Sequence, residues 1–248
     1  MRIFTISFFL IALNISVCGQ SSPGKFSIGG QFGISSLAMN DLNTYVEKNF
    51  NDAGFDLYST NNSLNIGLQA NYHISNRFAL RLGFGYYFPN KQSDSKPYYI
   101  TDIQGSVIGE TLLDVTYASR GYNLSLEPVY KFFQNEKYQF IAGTGILYSM
   151  GYLEIDTKNN DLNYYENKKW NNTSFGFMLN AHLEYYLNPF ISILGGIQFR
   201  YMPIHDLKDE DGNTVIISGN VLDSKKVSLD YSGIELNVGI LIYPFKIK

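Results

Sequence analysis

The chain has 248 residues, a formal net charge of −3, 17% charged residues and 16% aromatic residues. That length suffices for one domain with a substantial core. The lack of a basic excess excludes a protein that tracks a phosphate backbone, so no nucleic-acid partner is expected. The single cysteine, Cys18, excludes a disulfide framework.

Residues 1–19 read as a cleaved export signal. Arg2 supplies the positive start, Ile3 to Val17 is a short apolar stretch, and Val17 and Gly19 are the small residues before a cut that leaves Gln20 as the new N-terminus. A lipoprotein leader acylated on Cys18 is the alternative, and Val17 directly before the cysteine fits it poorly. Residues 20–248 are then the mature domain. No other apolar run nears the roughly 20 residues of a spanning helix.

Beyond the leader the chain alternates apolar and small polar residues, the mark of strands with two unlike faces. The alternation predicts strands at Phe26–Ile34, Ser63–Ile74, Phe78–Phe88, Tyr122–Phe132, Tyr138–Tyr152, Thr173–Leu187, Ile191–Tyr201 and Ile234–Ile242. Three connections are tight: Ser75 to Arg77, Gln134 to Lys137, and Asn188-Pro189. Four read as long loops: Ser36–Asn62, Pro89–Glu110, Ile155–Asn172 and Pro203–Lys226. Asn40–Phe50, with Leu42, Tyr45 and Val46 at helical spacing, reads as a short helix in the first loop. Strand-like stretches at residues 97–101 and 112–117 either lengthen the central strands or add a hairpin, which leaves ten strands open beside eight.

Short turns at one end and long loops at the other describe an antiparallel up-and-down transmembrane β-barrel with periplasmic turns and extracellular loops. A soluble barrel also alternates, but its outer face carries many Lys and Glu. Here the polar face is mostly Gly, Ser, Asn and Gln, which suits a cramped lumen. The apolar face bears aromatics near both strand ends. Tyr72, Phe78, Tyr130, Phe132, Tyr138 and Tyr185 lie toward the short turns. Tyr86, Phe88, Tyr122, Tyr148, Phe175, Phe199 and Tyr201 lie toward the long loops, as two lipid–water interfaces require.

The segment from Tyr122 through Glu127-Pro128 to Phe133, with the glycine-rich Phe140 to Leu147 after it, resembles the central strands of small outer-membrane β-barrels of Gram-negative bacteria (OmpA/OmpX-like and PorT-like). The resemblance spans nearly the whole mature chain and rests on pattern more than on motif. It implies an outer-membrane location, lipid contact and insertion by the barrel-assembly machinery. Family members often close on a terminal aromatic. Here Phe245 is followed by three residues.

The inward face holds Arg81, Glu127, Lys131, His182, Glu184, Arg200 and Glu235. An eight-stranded barrel has room for little beyond its own side chains, so these read as a paired charge network plugging the lumen. A narrow channel for ions or small solutes is the runner-up. An outer-membrane hydrolase or acyltransferase comes third. His182 and Glu184 would be its acid–base dyad, or His205-Asp206 its rim site, yet no nucleophile is identifiable beside either. Lys208 to Asn213 reads as a solvated hairpin tip or a weak surface cation site. It is not an EF-hand loop, because Leu207 and Ser218 fall where acids are needed. Asp156–Asn172, with exposed tyrosines and Trp170, reads as a mobile loop or a site for an extracellular ligand. Gly29-Gly30 and Gly195-Gly196 read as bends or close-packing positions. No cofactor, metal or enzyme activity is expected, and the reading is a structural or surface-interaction barrel.

Overall fold

The computed structural model describes residues 26–135, 137–217 and 225–244. The expected leader, with Cys18, and Phe245 near the C-terminus lie outside them. Eight strands close into one antiparallel barrel in simple up-and-down order. They are β1 (Phe26–Leu37), β2 (Asn62–His73), β3 (Phe78–Thr101), β4 (Val107–Gln134), β5 (Tyr138–Asn159), β6 (Tyr164–Asn188), β7 (Ile191–Tyr201) and β8 (Gly233–Ile242). β1 closes the ring against β8, with Phe32 opposite Val238. No described helix is long and apolar enough to cross a membrane.

All eight expected strands are present, and the ring has eight members, not ten. The three tight turns are where the sequence places them. Two of the four expected long loops are corrected. Within Pro89–Glu110 only Asp102 to Ser106 is turn, and within Ile155–Asn172 only Asn160 to Asn163 is. The rest lengthens β3 through β6 into two hairpins that rise past the barrel rim, with Lys96 opposite Leu113 and Asp156 opposite Asn167. The short helix α1 (Asn40–Val46) forms as expected and continues in a wider turn over Glu47–Asn51.

The two faces of the long strands exchange character along their length. Low on β4, Leu124 and Leu126 point out and are exposed, while Asn123, Ser125 and Glu127 point in and are buried. Higher up, the outward positions become Arg120, Thr116 and Asp114, and the buried inward ones Tyr117 and Val115. β5 repeats this: Ile146 and Tyr148 give way to Glu154 on the outside, and Leu153 and Ile155 are buried inside. Lipid outside with polar contents inside explains the lower part, and water outside with an apolar core inside explains the upper part.

That upper core is a cap made from all the outer connections. Leu42 and Val46 of α1, Phe55 and Leu57, Val115 and Tyr117, Leu153 and Ile155, Trp170, and Met202, Ile204, Leu207, Val215, Val227 and Leu229 of the last connection pack as one buried cluster. Cross-links fix its parts. The Tyr117 hydroxyl donates to the Tyr58 carbonyl at 2.8 Å, Ser228 Oγ donates to Asp41 at 2.6 Å, and the Asp56 backbone N–H donates to Asp94 at 2.7 Å. Trp170 is 8% exposed, which corrects its reading as a solvated binding side chain. Its hairpin is ordered strand, not a mobile loop.

Candidate functional site: the barrel lumen

All seven charged residues expected to face inward do so, and each is under 9% exposed. They fall into three layers along the axis, because inward positions on neighbouring strands stand directly opposite one another.

The middle layer is built on Arg81 of β3 and Glu127 of β4, which are cross-strand partners. Arg81 Nη1 lies 3.5 Å from the Glu127 carboxylate, and its Nε donates to Asn71 Oδ1 at 2.8 Å. Glu127 also accepts from Asn180 at 2.7 Å and from Ser125 at 2.6 Å. His182 Nδ1 lies 3.5 Å from Arg81 Nη1. The histidine ring fits there because Gly196 stands opposite it. A Cβ at Gly196 would lie 2.3 Å from the ring, and one at Gly29 would lie 2.1 Å from the Ile240 carbonyl oxygen. Close packing is thus the role of these two glycines.

The outer layer lies beneath the cap. Arg200 pairs with Glu235, donates from Nε to the Tyr231 carbonyl at 2.9 Å, and stacks 4.5 Å over the Tyr87 ring. Glu235 accepts further bonds from Asn65 at 3.1 Å, Ser35 at 3.3 Å and Asn237 at 3.3 Å.

The layer nearest the short turns centres on Glu184. It accepts from Gln139 at 2.6 Å, from Ser192, and from the Tyr243 hydroxyl at 2.5 Å. The His73 ring stacks on Tyr243 at 6.1 Å. Lys131 lines the same small cavity as Glu184 and Tyr243.

Each buried carboxylate therefore has several donors, which is what a low-dielectric interior demands. The space left over is small. One cavity of about 30 Å³ lies between Gln31, Asn65, Arg81, His182 and Glu235, and one of about 10 Å³ between His73, Arg81, Lys131 and Tyr243. By volume the first has room for about two waters and the second for about one at most. The residues lining them include polar atoms without a protein partner, His182 Nε2 at the first and both His73 ring nitrogens at the second.

The catalytic alternatives do not assemble. His182 turns to Arg81 while Glu184 is held by Gln139, Ser192 and Tyr243, so the two form no dyad. At the rim, Asp206 bonds Lys226 at 2.8 Å, and that bond holds its carboxyl below the usual range. Asn172 ties down the His205 carbonyl at 2.7 Å. Asp209 folds the next turn by accepting from the Asn213 and Asp211 amides at 2.7 and 3.0 Å. Among the described residues no group of three or more His, Cys, Asp or Glu side chains is placed to hold a metal.

The alternation also puts Tyr87, Asn65 and Asn180 on the inward face, where the structure has them, but gives them no bonding partners. Sequence reasoning missed part of the lumen. Tyr231 and Tyr243 lie just outside β8, where no periodicity marks a face.

No protein-family model and no curated protein matches the chain. Solved structures do. Neisserial surface protein A matches with a TM-score of 0.47 at 11% identity, covering 90% of this chain and 99% of that one. Ail of Yersinia pestis matches with a TM-score of 0.39 at 12% identity, covering 88% and 95%. The outer membrane protein OprG from Pseudomonas aeruginosa matches with a TM-score of 0.50 at 14% identity, covering 89% of this chain and 96% of that one. The chain has the fold of a small outer-membrane β-barrel protein.

Proposed function

We propose that the chain is a non-enzymatic outer-membrane barrel that spans the bilayer with β1 to β8, keeps its lumen closed, and presents its cap as a structural and surface-interaction element. The exchange of faces on β4 and β5 supports the location. So do the aromatic clusters at both ends of the apolar belt, such as Phe78 against Tyr130 at 4.9 Å and Tyr86 against Tyr122 at 4.9 Å. Tyr130 and Tyr122 are eight residues apart on β4. At about 3.3 Å per residue and about 40° of tilt the rings are separated by roughly 20 Å, close to the height of an outer-membrane apolar belt. Lipid is then the partner of the belt, the assembly machinery acts during insertion, and residues 1–19 are removed as a leader.

The observation that carries the closed lumen is the stack of three layers of bonded side chains beneath an apolar cap. The refolded mature protein, Gln20 to Lys248, is expected to insert into a planar bilayer without conductance steps, with insertion checked by heat-shifted gel mobility. Reproducible steps would establish a narrow channel instead and make Arg81 and Arg200 its first targets.

A further inference from the structure

We infer that the tips of the two outer hairpins form a docking surface for a basic, amphipathic polypeptide segment. This rests on the surface-interaction reading above and names its partner class.

Three observations support it. First, the β3–β4 hairpin ends in apolar side chains that the cap does not cover. Tyr99, Ile103, Val107, Ile108 and Leu112 are each more than half exposed, and Ile103 at the turn is fully so. Water-facing positions lower on the same strands are polar, namely Asp114, Thr116 and Arg120. The apolar tip therefore stands apart from the lipid belt and is not its continuation. Large apolar residues clustered at one exposed place mark an interaction surface.

Second, the neighbouring hairpin tip joins the same surface. Thr111 donates to Asp161 at 2.6 Å and its hydroxyl lies 3.0 Å from Asn159 Oδ1, which ties the two tips together. Leu162, Tyr164 and Tyr165 add exposed apolar and aromatic area beside the first set.

Third, the charge of the surface selects the occupant. Residues 96–114 and 156–168 carry six carboxylates against three lysines. One of the three, Lys168, is held by Glu166 at 2.8 Å. Glu110 and Asp114 lie on the outer face with Leu112 and Tyr99, whose cross-strand partner is Glu110. An apolar patch among carboxylates complements a partner with apolar anchors among Lys and Arg, and it repels an anionic membrane or an acidic protein.

The test uses the full mature barrel in detergent micelles and two fluorescent 18-residue helical peptides, one of Leu and Lys and one of Leu and Glu with the same apolar face. Anisotropy is expected to show saturable binding of the Leu/Lys peptide only, weakened at least tenfold from 50 to 500 mM salt. Tyr99→Ser with Ile103→Ser and Ile108→Ser is expected to weaken binding at least tenfold. Asp102→Asn with Glu110→Gln and Asp114→Asn is expected to remove most of the salt dependence. Equal binding of both peptides, or affinity unchanged in both triple variants, would overturn the proposal. So would binding of the unmodified tip to zwitterionic vesicles in place of the peptide. Tyr99, Ile103, Ile108 and Glu110 are exposed and Asp102 and Asp114 half-buried, all of them above the lumen layers, so the barrel fold is expected to survive their replacement, as heat-shifted mobility will report. A barrel silent in the planar bilayer that binds neither peptide would sink this inference and leave the closed lumen standing.

Discussion

Arg81 and Glu127 show how a single position governs the lumen. They are neighbours because β3 and β4 pair in one register, and both are nearly dry. Removing one partner leaves a buried charge, so Glu127→Ala is expected to destabilise the refolded barrel by about 3–5 kcal/mol in urea titration. Replacing both at once with Leu and Met is expected to cost clearly less, because no charge remains to be solvated. If Glu127→Ala costs no more than the double replacement, the pair does not carry the buried-charge energetics assigned to it. At this scale the sequence was informative wherever alternation held. It marked all seven inward charges by parity alone. It could not give their partners, which depend on register between strands. It also missed Tyr231 and Tyr243, whose inward positions follow from chain direction after a strand ends.

The hairpins were harder to read than the barrel, for a physical reason. Above the rim the solvent outside changes from lipid to water, so the apolar residues move to the opposite parity, as from Tyr148 to Leu153 on β5. A bulge between Tyr87 and Asn90 shifts the phase of β3 at the same height. An alternation that changes phase looks like a loop, which is why Pro89–Glu110 and Ile155–Asn172 read as one. Trp170 read as exposed for the same reason, although its position on β6 turns it into the cap. It is the only tryptophan of the chain, so its fluorescence reports the cap alone. Leu153→Asp places a charge in the cap core beside it. Trp170 emission is expected to shift to the red while heat-shifted gel mobility, which reports the barrel, is retained. Loss of both together would mean that cap and barrel fold as a single unit.

Across the whole molecule, charge is sorted by compartment. The outer segments 38–61, 89–120, 153–172 and 202–232 hold 18 of the 22 acidic residues and 10 of the 19 basic ones. The lumen balances Arg81, Lys131 and Arg200 against Glu127, Glu184 and Glu235, so it carries no formal excess to draw ions through. The short turns, at the opposite end from the acidic cap, carry Arg77, Glu136 and Lys137 in sequence, a net charge of +1. We propose from this polarity, with the exchange of faces at the rim, one orientation: cap outside the cell, short turns in the periplasm. Cys18 is the only cysteine and falls in the expected leader, so introduced cysteines are expected to report position against a clean background. The most direct test is labelling of intact Gram-negative cells expressing Gln104→Cys, in the exposed β3–β4 turn, or Asn76→Cys, in the exposed β2–β3 turn, with a membrane-impermeant maleimide. The account predicts that Gln104→Cys labels on intact cells and Asn76→Cys only after the outer membrane is opened. Labelling of Asn76→Cys on intact cells, or protection of Gln104→Cys until lysis, would contradict it.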